Sequence, residues 1–99
     1  MSSTATLPHP GRPVAETALV NRVRAGDPAA EAELARRFGP RMRALCLART
    51  QRADRAAELA DDAMIALLIA LRRGALRDPV ALPTFAAEIA RHTVATSSR

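Results

Sequence analysis

The chain has 99 residues, of which 48% are hydrophobic and 25% are charged, so it can form one small domain with a single core but not two. All fifteen basic residues are arginine, and a net charge of +5 suits either an anionic partner such as nucleic acid or a basic domain without one. The single cysteine, Cys46, excludes an internal disulfide and a multi-cysteine metal site, and its apolar neighbours predict a buried side chain.

The amino-terminal segment differs in composition from the rest of the chain. Residues 1–14 are rich in Ser, Thr and Pro, which predicts a disordered tail before a helical domain that spans residues 15–99. The segment lacks the apolar run of a signal peptide. The longest apolar run, AMIALLIAL at residues 63–71, is shorter than the roughly 20 residues that cross a membrane. We therefore expect a cytoplasmic protein with no membrane contact.

The remaining sequence favours helices, because alanine and arginine are abundant whereas β-branched and aromatic residues are sparse. The first predicted helix carries Leu19, Val20 and Val23 on one face and ends near Gly26. The next begins at the Asp27-Pro28 step, which combines an N-cap with a proline suited to the first helical turn.

The Gly39-Pro40 step interrupts the second helix and predicts a kink or a restart there. Asp54 is expected to cap the third helix, which continues to Gly74. A helical turn starts at Asp78-Pro79, and Pro83 opens the last helix, with Phe85, Ile89 and Val94 facing inward. We expect an all-α fold, a compact bundle of about four helices.

The third helix carries acids and isoleucines on one stripe, because residues three and four apart share a helix face. This stripe consists of Glu58, Asp61, Asp62, Ile65 and Ile69. No histidine or second acidic helix is placed to complete a metal site or an acid–base pair. We therefore expect no catalysis, no bound metal and no cofactor.

Two interpretations of this stripe remain open. The helix dipole favours acids in the first turns of a helix, but it does not explain the isoleucines. Leu59, Ala63, Leu67, Ala70 and Leu71 can form the core face, so the helix is apolar nearly all round. It is therefore either central in its bundle or has a second face for a partner.

The order of these segments resembles domain two (region 2) of bacterial sigma-70 type RNA polymerase sigma factors, particularly the extracytoplasmic-function group. The resemblance covers residues 19–99. It rests on three segments in the family's order, which are LVNRVRAGDPAAEAELARRFGPRMRAL, RADRAAELADDAMIALLIALRRG and FAAEIARH. It implies a helical domain that acts in transcription initiation.

In that family the third helix binds the clamp helices of the largest polymerase subunit, an arginine-rich coiled coil. The resemblance thus implies a polymerase-binding role for six residues: Glu58, Leu59, Asp61, Asp62, Ile65 and Ile69. Asp61 stands where the family usually has glutamine, so a hydrogen-bond donor is lost. An anti-sigma protein is a further partner that the resemblance implies.

The family also captures the minus-ten promoter element with the last helix and the loop before it. The positions that this implies for promoter DNA are Arg72, Arg73, Arg77, Phe85, Arg91, His92 and Arg99. Phe85 stands where the family usually has tryptophan, and His92 where it has asparagine. In the alternative interpretation, Phe85 belongs to the core and each arginine is solvated. The alternative function is a protein-interaction module without DNA binding, such as a sigma-like regulator or a homodimer.

Overall fold

The computed structural model describes residues 12–97, with side chains from residue 15 onward, and shows an all-α bundle of four helices. The predicted fold class is confirmed. No strand occurs within the described range, and the predicted tail lies outside it up to residue 11. The helices are α1 (Arg12–Arg24), α2 (Pro28–Thr50), α3 (Ala53–Arg72) and α4 (Leu82–Ser97), with a 3-10 turn at Pro79–Ala81.

The helix ends follow the predicted turn residues. Gly26 has φ of 84° and Gly74 has φ of 76°, backbone conformations that glycine adopts without strain and that terminate helices. The Asp27 carboxylate caps α2 by accepting a hydrogen bond from the backbone N–H of Ala29 at 2.9 Å. Asp78 caps the 3-10 turn in the same way. Backbone chemistry visible in the sequence therefore sets these boundaries.

One predicted boundary, the N-cap of α3, is wrong, and of the kink or restart predicted at Gly39-Pro40 the restart does not occur. Helix α3 begins at Ala53 with Arg52 as its N-cap, and Asp54 lies inside the first turn, where it forms a 3.5 Å ion pair with Arg52. Helix α2 does not restart at Pro40 but continues through it. Phe38 and Met42, on either side of Pro40, are both buried. Burial of two such side chains contributes about 3–6 kcal/mol, which offsets the roughly 3 kcal/mol cost of an internal proline.

The core lies where α2, α3 and α4 meet. The two-residue connection between α2 and α3 makes them an αα-hairpin, and α4 packs against both of them. Each helix contributes residues at helical spacing. Those from α2 are Ala30, Leu34, Phe38, Met42 and Cys46, those from α3 are Ala56, Leu59, Ala60, Ala63, Leu67 and Leu71, and those from α4 are Leu82, Ala86, Ala90 and Val94. Burial also raises the pKa of the Cys46 thiol.

Helix α1 packs on the rest of the bundle through both apolar and polar contacts. Leu19, Val20 and Val23 are buried as predicted. The Glu16 carboxylate is only 3% exposed and lies 3.8 Å from the Arg37 guanidinium of α2. The Arg24 side chain donates hydrogen bonds to the carbonyl oxygens of Leu71 and Leu76, so it ties α1 to the end of α3.

Candidate interaction surfaces

The acids and isoleucines of α3 lie together on the outer face of the bundle. We call Glu58, Asp61, Asp62, Ile65 and Ile69 the α3 stripe. All five are exposed, and Ile65 and Ile69 retain 58% and 45% exposure. Leu59, Ala63 and Leu67 on the opposite face are fully buried. Helix α3 therefore has a complete core face and, in addition, an exposed apolar face, so it is not simply a central helix.

The acids of the stripe differ in their partners. Glu58 accepts a 3.1 Å hydrogen bond from Arg55 one turn earlier. Asp61 and Asp62 form no hydrogen bond through their side chains and no ion pair within residues 12–97. Two adjacent carboxylates beside exposed isoleucines offer negative charge to a partner. The described chain contains no group of three potential metal ligands around them.

Leu59 does not belong to this surface. It was expected to bind the partner together with the stripe, but its side chain is 1% exposed and lies in the core. Helical periodicity placed Leu59 on the core face, whereas the resemblance implied a partner role. The burial agrees with periodicity, because a helix turns about 100° per residue and Leu59 points away from Glu58. Leu59 therefore supports the stripe from within the core.

An apolar groove runs beside the stripe, between α3 and α4. Phe85 and Ile89 are half-buried in it, and His92 is exposed at its edge. The groove contains an open cavity of about 300 Å³, lined by Ala66, Ala70, Phe85, Glu88, Ile89, His92 and Thr93. Phe85 thus packs at the edge of the core, as the core interpretation predicted, and is only partly accessible for stacking.

The residues predicted to bind DNA are not gathered on one face. Arg72 forms an ion pair with Glu31 of α2, whereas Arg73 and Arg77 are exposed at the end of α3 and in the following loop. Phe85 and His92 line the groove towards α3. Arg91 lies on the other side of α4, in a cleft with α2. The last predicted residue, Arg99, lies outside the described residues.

The sequence interpretation missed two arginines that flank α4. Arg49 shares a cavity with Arg91, and Arg41 lines a second cavity between α2 and α4. Helical periodicity alone predicts only that both lie on the outside of α2. Their spacing gave a partial indication, because eight residues correspond to about two turns plus 80°, which leaves Arg41 and Arg49 on the same side of α2.

Comparisons with known proteins identify no relative. No protein family, no curated protein and no solved structure matches the chain. Within residues 12–97, none of the helices has the length and apolar character needed to cross a membrane.

Proposed function

We propose that this domain acts in transcription initiation, similarly to region 2 of sigma-70 type factors, and docks on the clamp helices of core RNA polymerase through the α3 stripe. It also contacts the minus-ten promoter element through α4 and the preceding loop. It acts in the cytoplasm as a binding protein and not as an enzyme. The observation that supports docking most directly is the exposure of Ile65 and Ile69 beside the unpaired Asp61 and Asp62.

The two isoleucines supply affinity for a docked helix. Complete burial of an isoleucine contributes about 1.5–3 kcal/mol, and about half of each residue remains exposed. Covering both would contribute about 2 kcal/mol, which corresponds to about a thirtyfold change in Kd. This contribution is substantial for a surface made from one face of one helix.

The acids supply selectivity for the partner. Charged groups at the rim of an interface raise the association rate and reject like-charged partners, while adding little affinity. Asp61 and Asp62 therefore favour a partner that places arginines around an apolar contact. The arginine-rich clamp helices meet this description, and an anti-sigma protein with the same chemistry would compete for the same stripe.

Substitutions in the stripe test the docking proposal. Ile65→Arg and Ile69→Arg place a positive charge against an arginine-rich partner, and we expect binding of a clamp-helix fragment at least tenfold weaker. Leu47→Arg is a matched control, because Leu47 of α2 is 44% exposed, compared with 45% for Ile69. Far-UV circular dichroism should show unchanged helix content in all three variants. Equal binding by the stripe variants and the control would refute docking through α3.

A protein-interaction module that binds no DNA is the second candidate. It is favoured by the dispersal of the predicted DNA contacts, since Arg72 pairs with Glu31 and Arg91 faces away from Phe85. The two candidates differ in their response to a minus-ten non-template oligonucleotide. The sigma-like function predicts binding that weakens steeply with salt, whereas the interaction module predicts no binding at low salt.

A further inference from the structure

A second charged surface lies in the cleft between α2 and α4, on the side of α4 that faces away from α3. An open cavity of about 540 Å³ is lined by two arginines and three small apolar residues, which are Arg49, Arg91, Ala48, Val94 and Ala95. Towards the start of α4 lies a cavity of about 60 Å³, lined by Arg41 and by Phe38, Met42, Leu45, Pro83, Ala86 and Ala87. We call this surface the α2–α4 cleft.

The three arginines of the α2–α4 cleft lack acidic partners. Arg41, Arg49 and Arg91 form no ion pair within residues 12–97, and neither cavity is lined by an acid. Five other arginines pair with carboxylates, namely Arg22, Arg37, Arg52, Arg55 and Arg72. Arg36 and Arg43 also form no ion pair among the described residues but line neither cavity, so the cavities are what bring the three cleft arginines together. Positive charge that is concentrated in a cleft with an apolar floor attracts anions strongly.

The geometry of the cleft suits a chain of anionic groups better than one small anion. Arg49 and Arg91 share one cavity, whereas Arg41 lies eight residues earlier on α2, about 12 Å away at 1.5 Å per residue. The Arg41 guanidinium lies 5.5 Å from the centre of the Phe38 ring, a contact that restrains it at the edge of the cleft. One phosphate cannot reach both ends, but successive phosphates of a strand can.

We propose that the α2–α4 cleft binds the phosphodiester backbone of a single nucleic-acid strand. Arg49 and Arg91 hold one phosphate and Arg41 holds a later one, while the apolar floor of Ala48, Val94 and Ala95 contacts the sugars. Binding is independent of base sequence, because the Phe38 ring is buried and no aromatic residue is exposed in the cleft for stacking. This inference rests on the nucleic-acid part of the proposed function but not on docking through α3.

Fluorescence polarisation of the full chain with a labelled oligothymidylate tests this proposal without a promoter sequence or polymerase. Two neutralised phosphates on a single strand predict a slope of about −1.4 for the logarithm of the binding constant against the logarithm of salt concentration. Arg49→Gln combined with Arg91→Gln should release one of the two phosphates, reduce the magnitude of the slope by about 0.7 and weaken binding about fivefold at about 0.1 M salt. An oligouridylate should bind equally well, since nothing in the cleft selects the sugar.

Arg36→Gln combined with Arg43→Gln provides the matched control. Both residues are exposed on α2 and line neither cavity, and the double variant loses the same charge. We expect its slope and affinity to stay close to those of the unmodified chain. Equal losses in the two double variants would mean that net charge alone attracts the strand and would overturn the proposal. Absence of oligothymidylate binding to the unmodified chain at low salt would also overturn the proposal. Neither result would bear on binding of the clamp-helix fragment. Conversely, failure to bind the minus-ten oligonucleotide specifically would not contradict binding of oligothymidylate in the cleft.

Discussion

Replacement of Leu59 and Ile65 by alanine tests whether the two faces of α3 have separate roles. Leu59 is 1% exposed and belongs to the core, whereas Ile65 is 58% exposed. Truncation of a buried leucine to alanine loses the free energy gained by moving the removed atoms from water into the core, and it leaves a cavity. Together these effects cost about 2–5 kcal/mol. Leu59→Ala should therefore lower the free energy of unfolding by about 3 kcal/mol, a large part of the roughly 5–15 kcal/mol expected for a domain.

Ile65→Ala should behave differently. Surface substitutions usually change stability by less than about 0.5 kcal/mol, and alanine recovers a few tenths of a kcal/mol through its higher helix propensity, roughly cancelling the loss of partial contacts. Urea denaturation followed by far-UV circular dichroism measures both changes. Thermal unfolding should show a decrease of about 15 °C in Tm for Leu59→Ala and almost no change for Ile65→Ala.

For binding of the clamp-helix fragment, the variant that matters should be Ile65→Ala and not Leu59→Ala. At a temperature where both are folded, Leu59→Ala should bind the clamp-helix fragment normally, because its side chain does not reach the surface. Ile65→Ala should bind more weakly by about 1 kcal/mol, or about fivefold. If Ile65→Ala destabilised the domain as much as Leu59→Ala, the stripe would be part of the core and the assignment of the two faces would be wrong.

Two further predictions concern α2. Pro40→Ala restores a backbone N–H within a continuous helix, so we expect chemical denaturation to show a gain of about 1–2 kcal/mol; a loss would show that Pro40 fits its site better than alanine. Hydrogen bonds from Arg22 and Ala29 hold the pKa of Asp27 below its ordinary value of 3.8. The stability that this carboxylate contributes is therefore complete above that value and is lost as the pH falls through the lower folded-state pKa. Asp27→Asn should remove this part of the pH dependence, and an unchanged acid profile would contradict it.

Local chemistry made most of the fold predictable from the sequence. Helix positions follow from apolar residues three and four apart, and Gly26, Asp27 and Gly74 set boundaries through backbone geometry alone. The restart at Pro40 does not occur, because local propensity opposes a helix there while the burial of Phe38 and Met42 depends on packing with other helices. Tertiary burial therefore outweighed the local preference.

The binding surfaces were only partly predictable. Helical periodicity placed the acids and isoleucines of α3 on one stripe, but it could not show whether a neighbouring helix covers that stripe. The Arg72–Glu31 pair joins residues 41 positions apart, so no local pattern predicts that Arg72 is already engaged. The association of Arg49 with Arg91 likewise depends on how α4 packs against α2.

The most direct test of the central claim is a binding measurement with purified core RNA polymerase and the immobilised full chain. We predict that the unmodified chain and Leu47→Arg retain polymerase, whereas Ile69→Arg, which differs in exposure by only one percentage point from its control, does not. Loss of retention by both variants alike, or retention by both, would contradict docking through the α3 stripe. Failure of the unmodified chain to retain polymerase would contradict the proposed function itself.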